Sequence, residues 1–183
     1  MALQALMVPL GTPAPDFDLE SVDGTRLALR DVSAPVLLVA FLCNHCPYVR
    51  HVEAELGRAT AEFADRGVAT VGVCSNDTDA YPEDDAAHLR DQLTRAAWSF
   101  PYLLDSSQEV GRAYQAACTP DFFVYDRDRR LAYRGAMDDS SPRNGEPNDG
   151  RYLRRALALV LAGEKVPEPH IPSMGCSIKW RQG

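Results

Sequence analysis

The sequence predicts a single α/β domain built on a central mixed sheet with helices on both faces. Three observations carry that reading. Residues 36–42 form an unbroken apolar run without polar alternation, the pattern of a strand covered on both sides. A helical pattern and a second apolar run at 68–73 follow it, which makes a strand–helix–strand unit. Further on, an apolar run at 121–125 is answered by 131–134 as an antiparallel pair. At 183 residues the chain fits one domain, given roughly 100–200 residues per domain. Its core is expected over 13–162 and a C-terminal tail over 163–183.

The elements follow in order. Apolar and polar residues alternate across 17–29 on either side of Val22-Asp23-Gly24-Thr25, and Asp-Gly is a strong short-range turn signal, so an N-terminal β-hairpin is expected. After Pro47, the residues Val52, Leu56, Ala59 and Phe63 recur at helical steps, with Gly67 as the stop. Tyr81-Pro82-Glu83-Asp84-Asp85 reads as the opening of another helix: proline is tolerated early, acids suit the positive end, and Ala86, Leu89, Leu93 and Ala97 give the apolar face. A short helix is expected from Ser106, where Glu109 completes a capping-box pattern. Residues 138–150, polar and holding two prolines and two glycines, read as a loop. Leu153, Leu157, Val160 and Leu161 mark a last helix, after which a proline-rich tail is expected to wander over the surface toward Met174-Gly175-Cys176.

Composition narrows the function. Hydrophobic residues make up 45% and charged residues 25%, which supports a packed core without disulfide staples. The formal net charge is -7 and the basic residues are scattered, so neither nucleic acid nor a membrane surface is an expected partner. The first ten residues lack the charged start and apolar core of an export signal, and the compartment is read as cytoplasmic. Five cysteines there suit catalysis, metal binding or packing better than a disulfide framework.

Two of the five stand in Phe41-Leu42-Cys43-Asn44-His45-Cys46-Pro47, where a strand hands over to a helix. Backbone N–H groups at such a junction, together with the helix dipole, stabilise a thiolate and pull a cysteine from about 8.5 into about 3.5–7.5. Cys43 is therefore expected to be the ionised attacker. Cys46, one turn away, would resolve the mixed disulfide, and a positively charged His45 between them would favour the reduced form. A zinc site would normally need a second such cysteine pair, which the sequence lacks. No metal and no cofactor is expected.

These residues resemble the thioredoxin-like superfamily, and within it the alkyl-hydroperoxide-reductase and thiol-specific-antioxidant (redoxin) branch. The resemblance rests on Ala14-Pro15-Asp16-Phe17 with the following Asp-Gly turn, on the strand ending in the CNHC motif, and on Cys118-Thr119-Pro120 before the next strand. It implies a thioredoxin-like fold and a cis Pro120 facing the cysteine pair, with Thr119 offering its backbone to a substrate. It also implies thiol–disulfide oxidoreductase activity on protein or small-molecule disulfides, renewed by a cellular thiol reductant. His45 resembles the residue before the second cysteine of bacterial disulfide-forming oxidases, which implies an oxidant-leaning couple.

The sequence departs from the family at several points. Thioredoxins bury an acid in the strand before the active site, where this chain has Leu37. The Pro and Thr or Ser that precede a peroxidatic cysteine are missing before both Cys43 (Val36, Ala40) and Cys46 (Val39, Cys43), and only Arg134 matches a peroxidatic arginine. Peroxiredoxin-like peroxidase activity and a non-catalytic zinc-binding or interaction module stand as alternatives. Cys118, Cys176 and Arg134 are possible accessory residues: Cys118 by proximity to Thr119-Pro120, Cys176 as a resolving thiol on the tail, and Arg134 toward substrate or a surface acid such as Asp138 or Asp139. Cys74 closes an apolar strand and is read as packing.

Overall fold

The computed structural model describes residues 2–182. Its strands are β1 (Ala2–Gln4), β2 (Asp18–Ser21), β3 (Arg26–Ala28), β4 (Val36–Phe41), β5 (Val68–Cys74), β6 (Tyr102–Leu104), β7 (Cys118–Thr119), β8 (Asp121–Tyr125), β9 (Leu131–Gly135) and β10 (Met174–Ser177). Its α-helices are α1 (Pro47–Ala64), α2 (Ala86–Arg95), α3 (Glu109–Ala113) and α4 (Arg151–Leu161). Seven strands make the main sheet in the order β3-β2-β6-β5-β4-β8-β9, and β1-β10-β7 make a small second sheet. The β4–β5 and β5–β6 pairs are parallel and the others in the main sheet antiparallel, so the sheet is mixed, as its apolar runs predicted.

Every residue of β4 is buried, which is why its sequence shows no alternation. On one face Leu38, Ala40 and Leu42 pack with Val52, Leu56 and Phe63 of α1, Leu153 and Leu157 of α4, and Leu89 of α2. On the other face Leu37, Val39 and Phe41 pack with Phe123, Val110 and Tyr114. Each fully buried Val, Leu or Phe adds ~1.5–3 kcal/mol, and this double layer holds the carboxyl end of β4 rigid. Both cysteines of the CNHC motif lie on the α1/α4 face, at that end.

Four local expectations change. Pro82–Asp84 is a separate 3-10 turn, and Asp85 caps α2 by accepting from the His88 N–H at 2.9 Å. Ala97 lies beyond α2 with φ +53° and is exposed, while Gln92 and Ala96 are buried in its place. The Ser106–Glu109 capping box does not form; the Asp105 carboxylate accepts from Val110 and Gly111 N–H instead. The tail does not wander: β10 pairs antiparallel with β1 and β7, and the Ile178 and Lys179 N–H groups bond Ala117 and Asn76. No helix among the described residues is long and apolar enough to cross a membrane.

Candidate active site

The turn from Cys43 to Cys46 joins β4 to α1, and Cys46 itself is the N-cap, with Pro47 at the first helical position. Both cysteines are buried to 0% exposure. Facing them is Thr119, followed by a cis peptide bond to Pro120 as the resemblance implied. The Cys43 sulfur lies 3.1 Å from the Thr119 hydroxyl, and the Cys46 thiol reaches the Thr119 carbonyl at 3.3 Å. Thr119 thus touches both sulfurs, and the two cysteines and the Thr119-Pro120 segment come together as expected.

The distribution of charge differs from the expectation. The backbone N–H groups after Cys43 do not serve its sulfur: those of Asn44 and His45 donate to one oxygen of Asp84, at 2.7 and 3.2 Å. A Cys46 hydrogen bond, burial and the nearby Asp84 carboxylate all push the Cys43 thiol well above its usual range. Cys46 takes the favourable place at the helix start. Hydrogen bonds from Cys43, from the Cys176 thiol and from the Val49 and Cys176 N–H groups outweigh burial and pull it down to about 5. The bond to the Thr119 carbonyl opposes ionisation, but one acceptor faces several donors. These contacts favour a negative charge on Cys46 over one on Cys43, whereas sequence reasoning placed it on Cys43.

Asp84 is the residue that sequence reasoning missed. It is completely buried, and its second oxygen accepts from Asn76 at 2.8 Å and lies 2.6 Å from Nδ1 of His45. Burial alone would raise its pKa; the bonds from His45, Asn76 and Asn44 overcome that and hold it low. His45 is raised in turn, first by its bond to Asp84, and its ring stacks on Tyr81 with centroids 5.4 Å apart. Asp84 thus brings a buried acid to the site from the segment after β5, while Leu37 packs on the opposite face. Gln92 and Glu83 complete the frame, donating to the Cys43 carbonyl at 3.1 Å and accepting from Asn44 at 2.8 Å. Ligand atoms of Cys43, His45 and Asp84 lie within 4.8 Å of one another. In each, the contacting atom already has a protein partner, so the trio is a completed hydrogen-bond network.

The accessory residues separate. Arg134 bonds Gln115 and Asp121 and makes no hydrogen bond to Cys43 or Cys46. It lies on the opposite face of the sheet, buried over the Phe123 ring at 4.4 Å, and pairs with buried Asp121 at 2.8 Å instead of with Asp138 or Asp139. Asp138 caps the Asp149 and Gly150 N–H groups, and Asp139 pairs with Arg151. Cys118 is buried beside the site, its thiol aimed at the Pro120 carbonyl at 3.9 Å, and burial raises it far out of the reactive range. Cys74 is likewise sealed and raised by burial, in keeping with packing. Cys176 sits directly opposite Thr119 in the β10–β7 pair. A cleft of about 240 Å³ borders Tyr48, Pro120 and Met174, beside the sulfurs' cover.

The AhpC/TSA family model matches residues 10–134, from before the hairpin into β9. The chain belongs to the AhpC/TSA family. Its fold is thioredoxin-like and, at the level the family supports, it is an oxidoreductase. An uncharacterized conserved protein from Geobacillus kaustophilus shares 45% identity at TM-score 0.97, the match covering 100% of this chain and 98% of that one. A hypothetical protein from Sinorhizobium meliloti 1021 shares 43% at TM-score 0.96, over 98% of this chain and 99% of that one. More distantly, a protein described as a putative thiol:disulfide interchange protein DsbE from Chlorobium tepidum, 20% identical at TM-score 0.68, matches over 85% of this chain and 99% of its own. A peroxidoxin from Mycobacterium tuberculosis, 18% identical at TM-score 0.63, matches over 86% and 98%. These last two share the fold. No curated protein gives a match.

Proposed function

We propose that this AhpC/TSA member is a thiol–disulfide oxidoreductase in which Cys46 attacks and Cys43 resolves. The observation that carries the reading is the pair of sulfurs held against Thr119 with the helix start at Cys46. The Cys46 thiolate attacks a substrate disulfide; a Cys46–substrate bond forms and one substrate sulfur leaves as thiolate. Cys43 then gives up its proton and attacks the Cys46 sulfur, which frees the second substrate thiol and leaves a Cys43–Cys46 disulfide. Protein or small-molecule disulfides are the substrate class, with a cellular thiol as the renewing reductant in a reducing, cytoplasmic setting. Thr119 covers both sulfurs, and the strand edge at Thr119 is held by β10. Asp84 raises the pKa of His45 and so favours its charged form, which would stabilise nearby negative charge.

A second reading is a thiol peroxidase, favoured by the sealing of both sulfurs, which admits a small oxidant more readily than a protein strand. Arg134, on the opposite face, is not positioned to polarise a peroxide there. The discriminating experiment supplies the reduced protein with a small disulfide or with hydrogen peroxide and follows consumption of each. Disulfide turnover that vanishes in Cys46→Ser is expected. Peroxide consumption faster than disulfide exchange would overturn the proposal in favour of the second reading.

A further inference from the structure

Strand β10 lies on the β7 edge, where a substrate chain would pair, and it carries a cysteine to the reacting sulfur. In the antiparallel pair Cys176 stands directly opposite Thr119, and directly opposed residues project from the same face of a sheet. The Thr119 hydroxyl touches the Cys43 sulfur, so Cys176 projects toward the same pair. Cys176 packs against the cluster that holds Cys43 and Cys46, and its proximity helps to lower the Cys46 thiol.

The approach is built in. A Cβ on Gly175 would fall 1.9 Å from the Thr119 carbonyl oxygen, so only glycine lets the strand sit this close. The tail is anchored on either side of this point. Ser173 bonds the Gly135 carbonyl at 2.7 Å, and Lys179 receives bonds on its carbonyl from Asp77 and Gln108 and donates its N–H to Asn76. Asn76 also holds Asp84, so tail and thiol network share a residue. Unlike Cys74 and Cys118, Cys176 is partly exposed.

We propose that Cys176 is a third redox-active cysteine, which makes β10 a built-in substrate strand that exchanges disulfides with Cys46. The proposal rests on the reading of Cys46 as the attacking sulfur. Starting from the Cys43–Cys46 disulfide, Cys176 loses its proton and attacks the Cys46 sulfur. The Cys46–Cys176 bond forms, the Cys43–Cys46 bond breaks, and Cys43 leaves as a thiolate that takes up the proton. Neither oxidant nor reductant is consumed. The same attack on a Cys46 mixed disulfide releases the bound thiol and leaves Cys46–Cys176.

The test exposes reduced full-length protein to oxidised glutathione, quenches with acid, and maps disulfides by mass spectrometry. In Cys43→Ser, glutathione first adds to Cys46 and is then expelled, leaving a Cys46–Cys176 disulfide. In Cys43→Ser with Cys176→Ser the glutathione adduct persists. Circular dichroism verifies the fold, and Cys43→Ala repeats the experiment if the serine variant is damaged. If wild type forms Cys43–Cys46 but the single variant keeps its glutathione, the third-cysteine proposal fails and the oxidoreductase reading stands. If wild type forms neither an adduct nor a disulfide at Cys46, both fail.

Discussion

Two of the buried carboxylates that stand close to basic side chains, Asp84 and Asp121, behave in opposite ways. Asp84 accepts from two backbone N–H groups and Asn76, contacts His45, and is held below the ordinary carboxylate range. Asp121 has Arg134 at 2.8 Å, yet burial raises it, one of its oxygens has no partner, and neither do two of the Arg134 nitrogens. The first is a complete polar network beside two cysteines; the second is an ion pair that gains little over an apolar pair of the same size. Satisfaction of hydrogen bonds, more than the presence of an opposite charge, decides in which direction a buried acid is shifted.

The largest effect is expected at the opposite face. Arg134→Leu leaves Asp121 buried without its partner and should cost ~3–5 kcal/mol in urea unfolding, while Arg134→Leu with Asp121→Leu recovers most of it. Neither variant should move the titration of Cys43 or Cys46; a shift there would erase the distinction between the two faces. A smaller loss, about 1–3 kcal/mol, is expected for Asp84→Asn, which weakens several bonds without removing a whole ion pair. Its signature is electrostatic. His45, raised by Asp84, should titrate lower in nuclear magnetic resonance, and Cys43, raised in part by the Asp84 charge, should ionise more easily. His45 is raised in the folded state, so its contribution to stability is full below its unfolded pKa and is lost as pH rises through the folded value. That alkaline loss should shrink in Asp84→Asn, and an unchanged profile would show that the pair is not coupled as described.

The central sheet was legible in the sequence because two-sided burial leaves an apolar run at 36–42, and the helix after Pro47 because Val52, Leu56, Ala59 and Phe63 keep its period. The cysteine pair announced itself by spacing. Asp84 did not, since in Glu83-Asp84-Asp85 all three acids suit a helix start equally and only tertiary packing picks the buried one. The polar Asn76 just past the carboxyl end of β5 was the available hint, because sites in open α/β sheets collect there. The loss of the helix-start N–H groups to Cys43 was hidden for a related reason: they are taken by Asp84, an acid about forty residues away. Likewise, the four-residue strand that seats Cys176 depends on a β7 edge that no local pattern reveals.

The account depends most on which sulfur bears the charge. Ultraviolet thiolate absorbance of the reduced protein, titrated against pH in wild type, Cys43→Ser and Cys46→Ser, measures this without requiring a reagent to reach the buried pair. A transition near about 5 is expected in wild type. It should persist, raised slightly, in Cys43→Ser, where the serine hydroxyl still donates, and disappear in Cys46→Ser. A low transition that survives in Cys46→Ser and vanishes in Cys43→Ser would place the thiolate on the first cysteine and contradict the account.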